Sequence, residues 1–201
     1  VGSLSALGAG VSILSMNQLF ATLGGGWIIV ALGVLIGCGF GAMTGLVAGA
    51  LIVKGRVEAF IVTLGAMGIY RSVLTWMSDG GSISLDRDLR GIARPIYYSE
   101  VLGVTMPIIL FVVLAILGEL LLRRMRFGRH VAAIGSARQV AQYSAVPVNR
   151  TRILTYVLQG LMVGIASAIY IPRLGTATPS TGLMWELEAI AAVIIGGTAL
   201  G

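Results

Sequence analysis

Residues Trp27–Val53 read WIIVALGVLIGCGFGAMTGLVAGALIV, and this stretch decides the fold. It carries no charged residue. As an α-helix it would be about 40 Å long at 1.5 Å per residue, against a hydrocarbon layer of roughly 30 Å. A run of that length and polarity predicts a transmembrane helix that tilts, kinks or overshoots. Within it Gly33, Gly37, Gly41, Gly45 and Gly49 recur every fourth residue. Water does not drive helices together in lipid, so small residues that let backbones approach provide the contact. A four-residue step turns about 40° beyond a full helical turn, so the glycine stripe winds and can meet more than one neighbour. Gly160, Gly164 and Ala168 repeat the device further on.

The rest of the chain extends the same pattern. Apolar residues make up 57% of 201 residues and charged ones 11%, where soluble domains carry roughly 25% charge. Glycine is abundant (29 residues) without a Gly-X-Y period, and prolines number 5, which excludes collagen and linker. One cysteine, Cys38, and one histidine, His130, exclude a disulfide framework and a multi-His or multi-Cys metal site. Upstream of the glycine stripe, Gly24-Gly25-Gly26 breaks a first apolar run at Leu4–Leu23. Downstream come Phe60–Met77 with Arg71 inside it, Val104–Leu122 with Glu119 near its end, Ile153–Ile171, and a sixth run starting near Ala189. The expected architecture is all-α, a polytopic transmembrane helix bundle of about six segments forming a single domain over 1–201. Open backbone groups are not tolerated in lipid, so each segment is predicted helical. The chain opens Val1-Gly2-Ser3 with no signal peptide in view and is read as an internal fragment of a longer polypeptide.

Arginine placement orients the bundle. Seven arginines (123, 124, 126, 129, 138, 150 and 152) and no carboxylate lie between Arg123 and Arg152, whereas the Asp79–Glu100 connection has three arginines against four acids. The positive-inside rule makes 123–152 a cytoplasmic loop and 78–103 a periplasmic one. Lys54 and Arg56 then fall inside as well.

In the cytoplasmic loop, residues 135–147 read as a short helix. Ser136 with Gln139 fits a capping box, and Pro147 disfavours helix at Val146. Val140 and Tyr143 share one side with Ser144. So short a helix needs support, either from lipid headgroups or as a peg docked into a partner.

At this point the residues become familiar. Val1–Ala6, Lys54–Gly65, Phe127–Arg129 with Ala133–Gly135, Ser144–Asn149 and Glu188–Thr198, taken in order, resemble the permease subunits of bacterial ATP-binding-cassette sugar importers. The likeness is nearest to the ribose, xylose, arabinose and rhamnose group. It implies an inner-membrane permease that pairs with a second permease copy, rests on a cytoplasmic ATP-binding subunit and receives a pentose or hexose from a periplasmic sugar-binding protein. It also implies that Gly135, Ser136, Arg138, Gln139, Val140, Tyr143, Pro147 and Asn149 belong to the segment coupling ATPase closure to the helices. The chain departs from the family pattern at Ala137-Arg138, where Asn-Glu is usual, and at Ala145 and Ser72, where glycine is common.

The energy source is expected elsewhere. A phosphate cradle ending in Gly-Lys-Ser/Thr is missing, because the only lysine is Lys54 between Val53 and Gly55. The chain is therefore read as a transport subunit and not an enzyme, with no cofactor of its own, ATP and Mg being bound by the partner ATPase. Lipid is a partner and nucleic acid is not. Arg71, Tyr70, Trp76 and Gln159, with Asn17 and Gln18, are candidates for the sugar path. Asp86, Asp88, Glu186 and Glu188 are candidates for the surface where a binding protein lands. Two alternatives remain: a permease for branched-chain amino acids or nucleosides, and a self-contained secondary carrier.

Overall fold

A segment surrounded by lipid must satisfy its backbone polar groups internally, which the α-helix does. In the computed structural model, which describes residues 1–24, 26–101 and 103–197, five helices are long and apolar enough to cross a membrane. They are α1 (Gly2–Leu23), α2 (Trp27–Lys54), α3 (Ala59–Met77), α5 (Met106–Arg124) and α8 (Val148–Leu174). Shorter elements connect them: β1 (Ile83–Ser84), α4 (Arg87–Tyr98), β2 (Glu100–Val101), β3 (Val104–Thr105), α6 (Arg126–Ser136), α7 (Arg138–Tyr143), β4 (Thr176–Ala177) and α9 (Trp185–Ile195). The sixth apolar run is described only to Gly197. Thr198 lies outside the described residues.

Three boundaries differ from expectation. The fourth crossing starts at Met106, because Val104–Thr105 pairs antiparallel with Glu100–Val101. The fifth crossing starts at Val148. Pro147 is its N-cap, a place next to the first turn where a missing N–H costs nothing. That helix also continues through Pro172 and stops at Gly175, whose φ of 65° is left-handed.

The α1–α2 hairpin and α8 form the centre. Met16 lies against Gly33 and Ser12 against Gly37, while Gly160 lies against Gly41 and Tyr156 against Gly45. Both pairings run antiparallel. The buried residues gather around α1, including Ala6, Ala9, Ile13 and Met16, with Ile29, Val30 and Leu74 from its neighbours. By contrast α5 has no buried residue. Glu119 near its end pairs with Arg123 one turn on.

The connection 78–103, expected only as a periplasmic loop, contains the amphipathic helix α4. Asp86 caps α4 by accepting from the Asp88 N–H at 3.2 Å, and Leu89 and Ala93 are buried in the core cluster. Pro95 lies inside the helix. From α4, Arg90 Nη2 donates to the carbonyls of Gly175 at 3.0 Å and Leu174 at 3.4 Å. A cation thereby satisfies carbonyls left open at the end of α8. β1 pairs with β4, and Asn17 binds Ser84 O at 3.0 Å and the Asp86 N–H at 3.1 Å. Together these contacts clasp the ends of α1 and α8. Arg90→Ala is expected to cost about 2 kcal/mol, as charge-assisted hydrogen bonds do. Thermal unfolding of the detergent-solubilised protein measures it.

Candidate functional site

The glycine seam governs how closely the central helices approach. A Cβ placed on Gly160 would meet the carbonyl oxygen of Gly41, and one on Gly45 the carbonyl oxygen of Tyr156. A Cβ on Gly164 would lie 2.7 Å from the Cα of Cys38, and one on Gly49 would lie 3.2 Å from the Cα of Ile153. The stripe winds as its spacing requires. Its first two members face α1 and its last three face α8. Ser167, one turn beyond Gly164, lies fully buried with its hydroxyl 3.1 Å from Ser5 O and 2.9 Å from Val163 O. It supplies a polar link between α8 and α1 that spacing alone did not reveal.

Beside the seam, a partly open cavity of about 80 Å³ is lined by α1, α2, α3 and α8. Tyr70 and Gln159 both line it, joined by Ser3, Thr44, Thr63 and Tyr156. Its polar groups are hydroxyls and one amide, and none of its lining residues is Asp, Glu, Lys or Arg. Such a lining can exchange hydrogen bonds with hydroxyls or a few waters. Tyr156 and Gln159 stand three residues apart on α8, a spacing that places them on one helix face. That spacing is legible in the sequence.

The other two path candidates do not line this cavity, although Arg71 touches Ser3 on its wall. Arg71 turns to α1, where its Nε donates to Ser3 Oγ at 3.4 Å, and its Nη2 is buried without a partner among the described residues. Trp76 is 80% exposed and shares a shallow open hollow with Arg71, Thr75 and Asp79. Exposed Gln18 joins neither group, and Asn17 serves the clasp already described. Of the four acids, Asp86 is an N-cap and Glu186 Oε1 accepts from the Ser3 N–H at 3.3 Å. Asp88 and Glu188 are exposed.

The arginine-rich connection departs from its expected form. Ser136 closes α6 instead of opening a new helix, its hydroxyl donating back to Ala132 O at 2.9 Å. The capping box with Gln139 is not made: Ala137 is the N-cap of α7, and no side chain bonds there. The extended backbone at Ala137 (φ −158°, ψ 100°) breaks the chain between the helices, so Gly135 falls in α6 while Arg138, Gln139, Val140 and Tyr143 fall in α7. α7 ends at Tyr143, ahead of the Pro147 restriction, and Asn149 lies in the first turn of α8. Ala145, standing where the resembled family has glycine, has φ 57°. That conformation strains an L-residue by about 1–2 kcal/mol and gives the usual glycine its physical reason. α7 rests on buried Ala141 while Val140 (61%) and Tyr143 (91%) are exposed.

Membrane-length helices packed along a glycine seam, with a cavity lined by hydroxyls and an amide beside it, define a polytopic membrane protein. The chain belongs to the family described as branched-chain amino acid transport system / permease component, whose model matches residues 1–201. It is 34% identical over 211 aligned residues to the ribose import permease protein of Escherichia coli (strain K12), covering all of this chain and 60% of that one. The ribose import permease protein of Bacillus subtilis (strain 168) is 36% identical over 155 residues, covering 76% of this chain and 47% of that one. The fructose import permease protein of Bifidobacterium longum (strain NCC 2705) is 32% identical over 165 residues, with 79% and 48% covered. The chain thus spans about half to three-fifths of the length of these relatives. No solved structure matches it. It is a multi-pass protein of the inner membrane.

Proposed function

We propose that the chain is the core of a permease subunit that carries a monosaccharide inward across the inner membrane, driven by a separate ATPase. One observation carries this reading: the match to a ribose import permease runs over the whole chain. The absence of a Gly-Lys-Ser/Thr cradle from these residues agrees with an external energy source. Residues 123–152 are the cytoplasmic coupling loop, with the exposed side of α7 meeting the ATP-binding subunit. Residues 78–103 face the periplasm, where a sugar-binding protein delivers cargo, and a second permease copy completes the pathway.

A second cargo deserves comparison because the family description names branched-chain amino acids. No Asp, Glu, Lys or Arg lines the central cavity, although Arg71 bonds to Ser3 on its wall. Tyr70, Gln159, Thr44 and Thr63 suit a polyol instead.

Vesicles containing the full-length permease test the proposal. Uptake of ribose or fructose is expected only when the ATPase, ATP and the binding protein are supplied. Leucine uptake is expected to stay at background. Sugar uptake by the permease alone would overturn the energy argument, and ATP-driven leucine uptake would overturn the cargo.

A further inference from the structure

At the end of the bundle that carries the arginine-rich connection, a second pocket of about 560 Å³ lies between the end of α2, the start of α3, α7 and the start of α8. Arg56, Arg152, Gln142 and Asn149 present donors to it, and Ile52 and Val53 form part of an apolar wall. Among the described residues the ion pair between side chains is that of Arg123 with Glu119. Both pocket arginines are therefore unpaired. Glu58 lines the same pocket and makes no ion pair with either.

Arg56 has a second peculiarity. Its φ is 53°, a left-handed conformation that non-glycine residues hold at a cost of about 1–3 kcal/mol, and such outliers cluster at ligand clamps. The pocket sits at the ends of three membrane-length helices, α2, α3 and α8, the depth of lipid headgroups. Leu51, Val57 and Phe60, flanking its apolar wall in the chain, are 51%, 39% and 67% exposed, an apolar surface on which acyl chains can lie.

We infer that this pocket binds the phosphate of an anionic phospholipid headgroup, gripped by Arg56 and Arg152, with the acyl chains along the neighbouring helix ends. The guanidinium fork matches phosphate oxygens, and the amides of Gln142 and Asn149 donate to the remaining headgroup oxygens. A zwitterionic lipid brings its own ammonium and gains less. The inference requires only residence in the membrane, so it stands apart from the cargo and the energy source.

Native mass spectrometry of the full-length permease, supplied with equal phosphatidylglycerol and phosphatidylcholine, tests it. Phosphatidylglycerol is expected to be retained preferentially, with about fivefold of that preference lost for each of Arg56→Gln and Arg152→Gln. Arg87→Gln, at the opposite end of the bundle, is expected to change nothing. The single variants carry the test if the double variant does not purify. Equal retention of the two lipids, or retention unaffected by both substitutions, would overturn the site. Displacement of the lipid by millimolar inorganic phosphate would also overturn it, because the pocket would then take a free anion.

Discussion

Gly160→Val is expected to prevent the bundle from forming, and Gly160→Ala to destabilise it by about 3 kcal/mol, while Gly39→Ala and Gly65→Ala leave it unchanged or firmer. The difference lies in what each new Cβ meets. On Gly160 it meets the Gly41 carbonyl oxygen, and the next atoms are also backbone. A helix backbone cannot rotate out of the way as a side chain can, so α8 and α2 must separate. Separation also loosens Gly164 against Cys38 and Gly45 against Tyr156, giving up dispersion contacts along the whole seam. A Cβ on Gly39 or Gly65 would meet no atom within 4 Å beyond its own stretch of helix. There alanine gains up to about 1 kcal/mol by restricting the unfolded chain. Thermal unfolding of the four full-length variants in detergent, followed by the fluorescence of a fused tag, separates the outcomes. If Gly160→Ala and Gly39→Ala unfold together, the seam does not hold the centre of the bundle.

Tyr143→Ala is expected to leave the fold intact and to reduce ATP-driven uptake at least tenfold. Its side chain is 91% exposed, so truncation removes almost nothing from the bundle, and surface changes of that kind fall within about 0.5 kcal/mol. At an interface the arithmetic reverses. Loss of an aromatic anchor costs about 2 kcal/mol or more, some thirtyfold in affinity. Val140→Ala is expected to show the same defect more weakly, because valine buries less surface. Uptake and ATP hydrolysis, measured together in vesicles holding the permease with its ATPase, distinguish docking from a lipid-facing role. Normal coupled transport by the Tyr143 variant would show that α7 is not the docking element.

The spacing of Ser136 and Gln139 predicts a capping box, and the structure shows why the pattern misleads. Ser136 follows a helix already under way, so the nearest acceptor is Ala132 O within that helix and not an open N–H ahead. Capping signals identify a start only when the preceding residues are non-helical, a condition invisible from spacing.

Sequence alone determined that this chain lives in lipid, where its five full crossings lie to within a few residues, and that one crossing carries a winding glycine stripe. These follow from local composition, because the membrane imposes a length and a polarity on every segment separately. Tertiary structure alone decided that Gly41 meets Gly160, that Tyr70 and Gln159 share a cavity while Arg71 and Trp76 do not, and that α4 clasps the end of α8. In lipid, helix association depends on which surfaces fit closely and not on burying apolar area. An apolar pattern therefore says where a helix runs and leaves open what it touches.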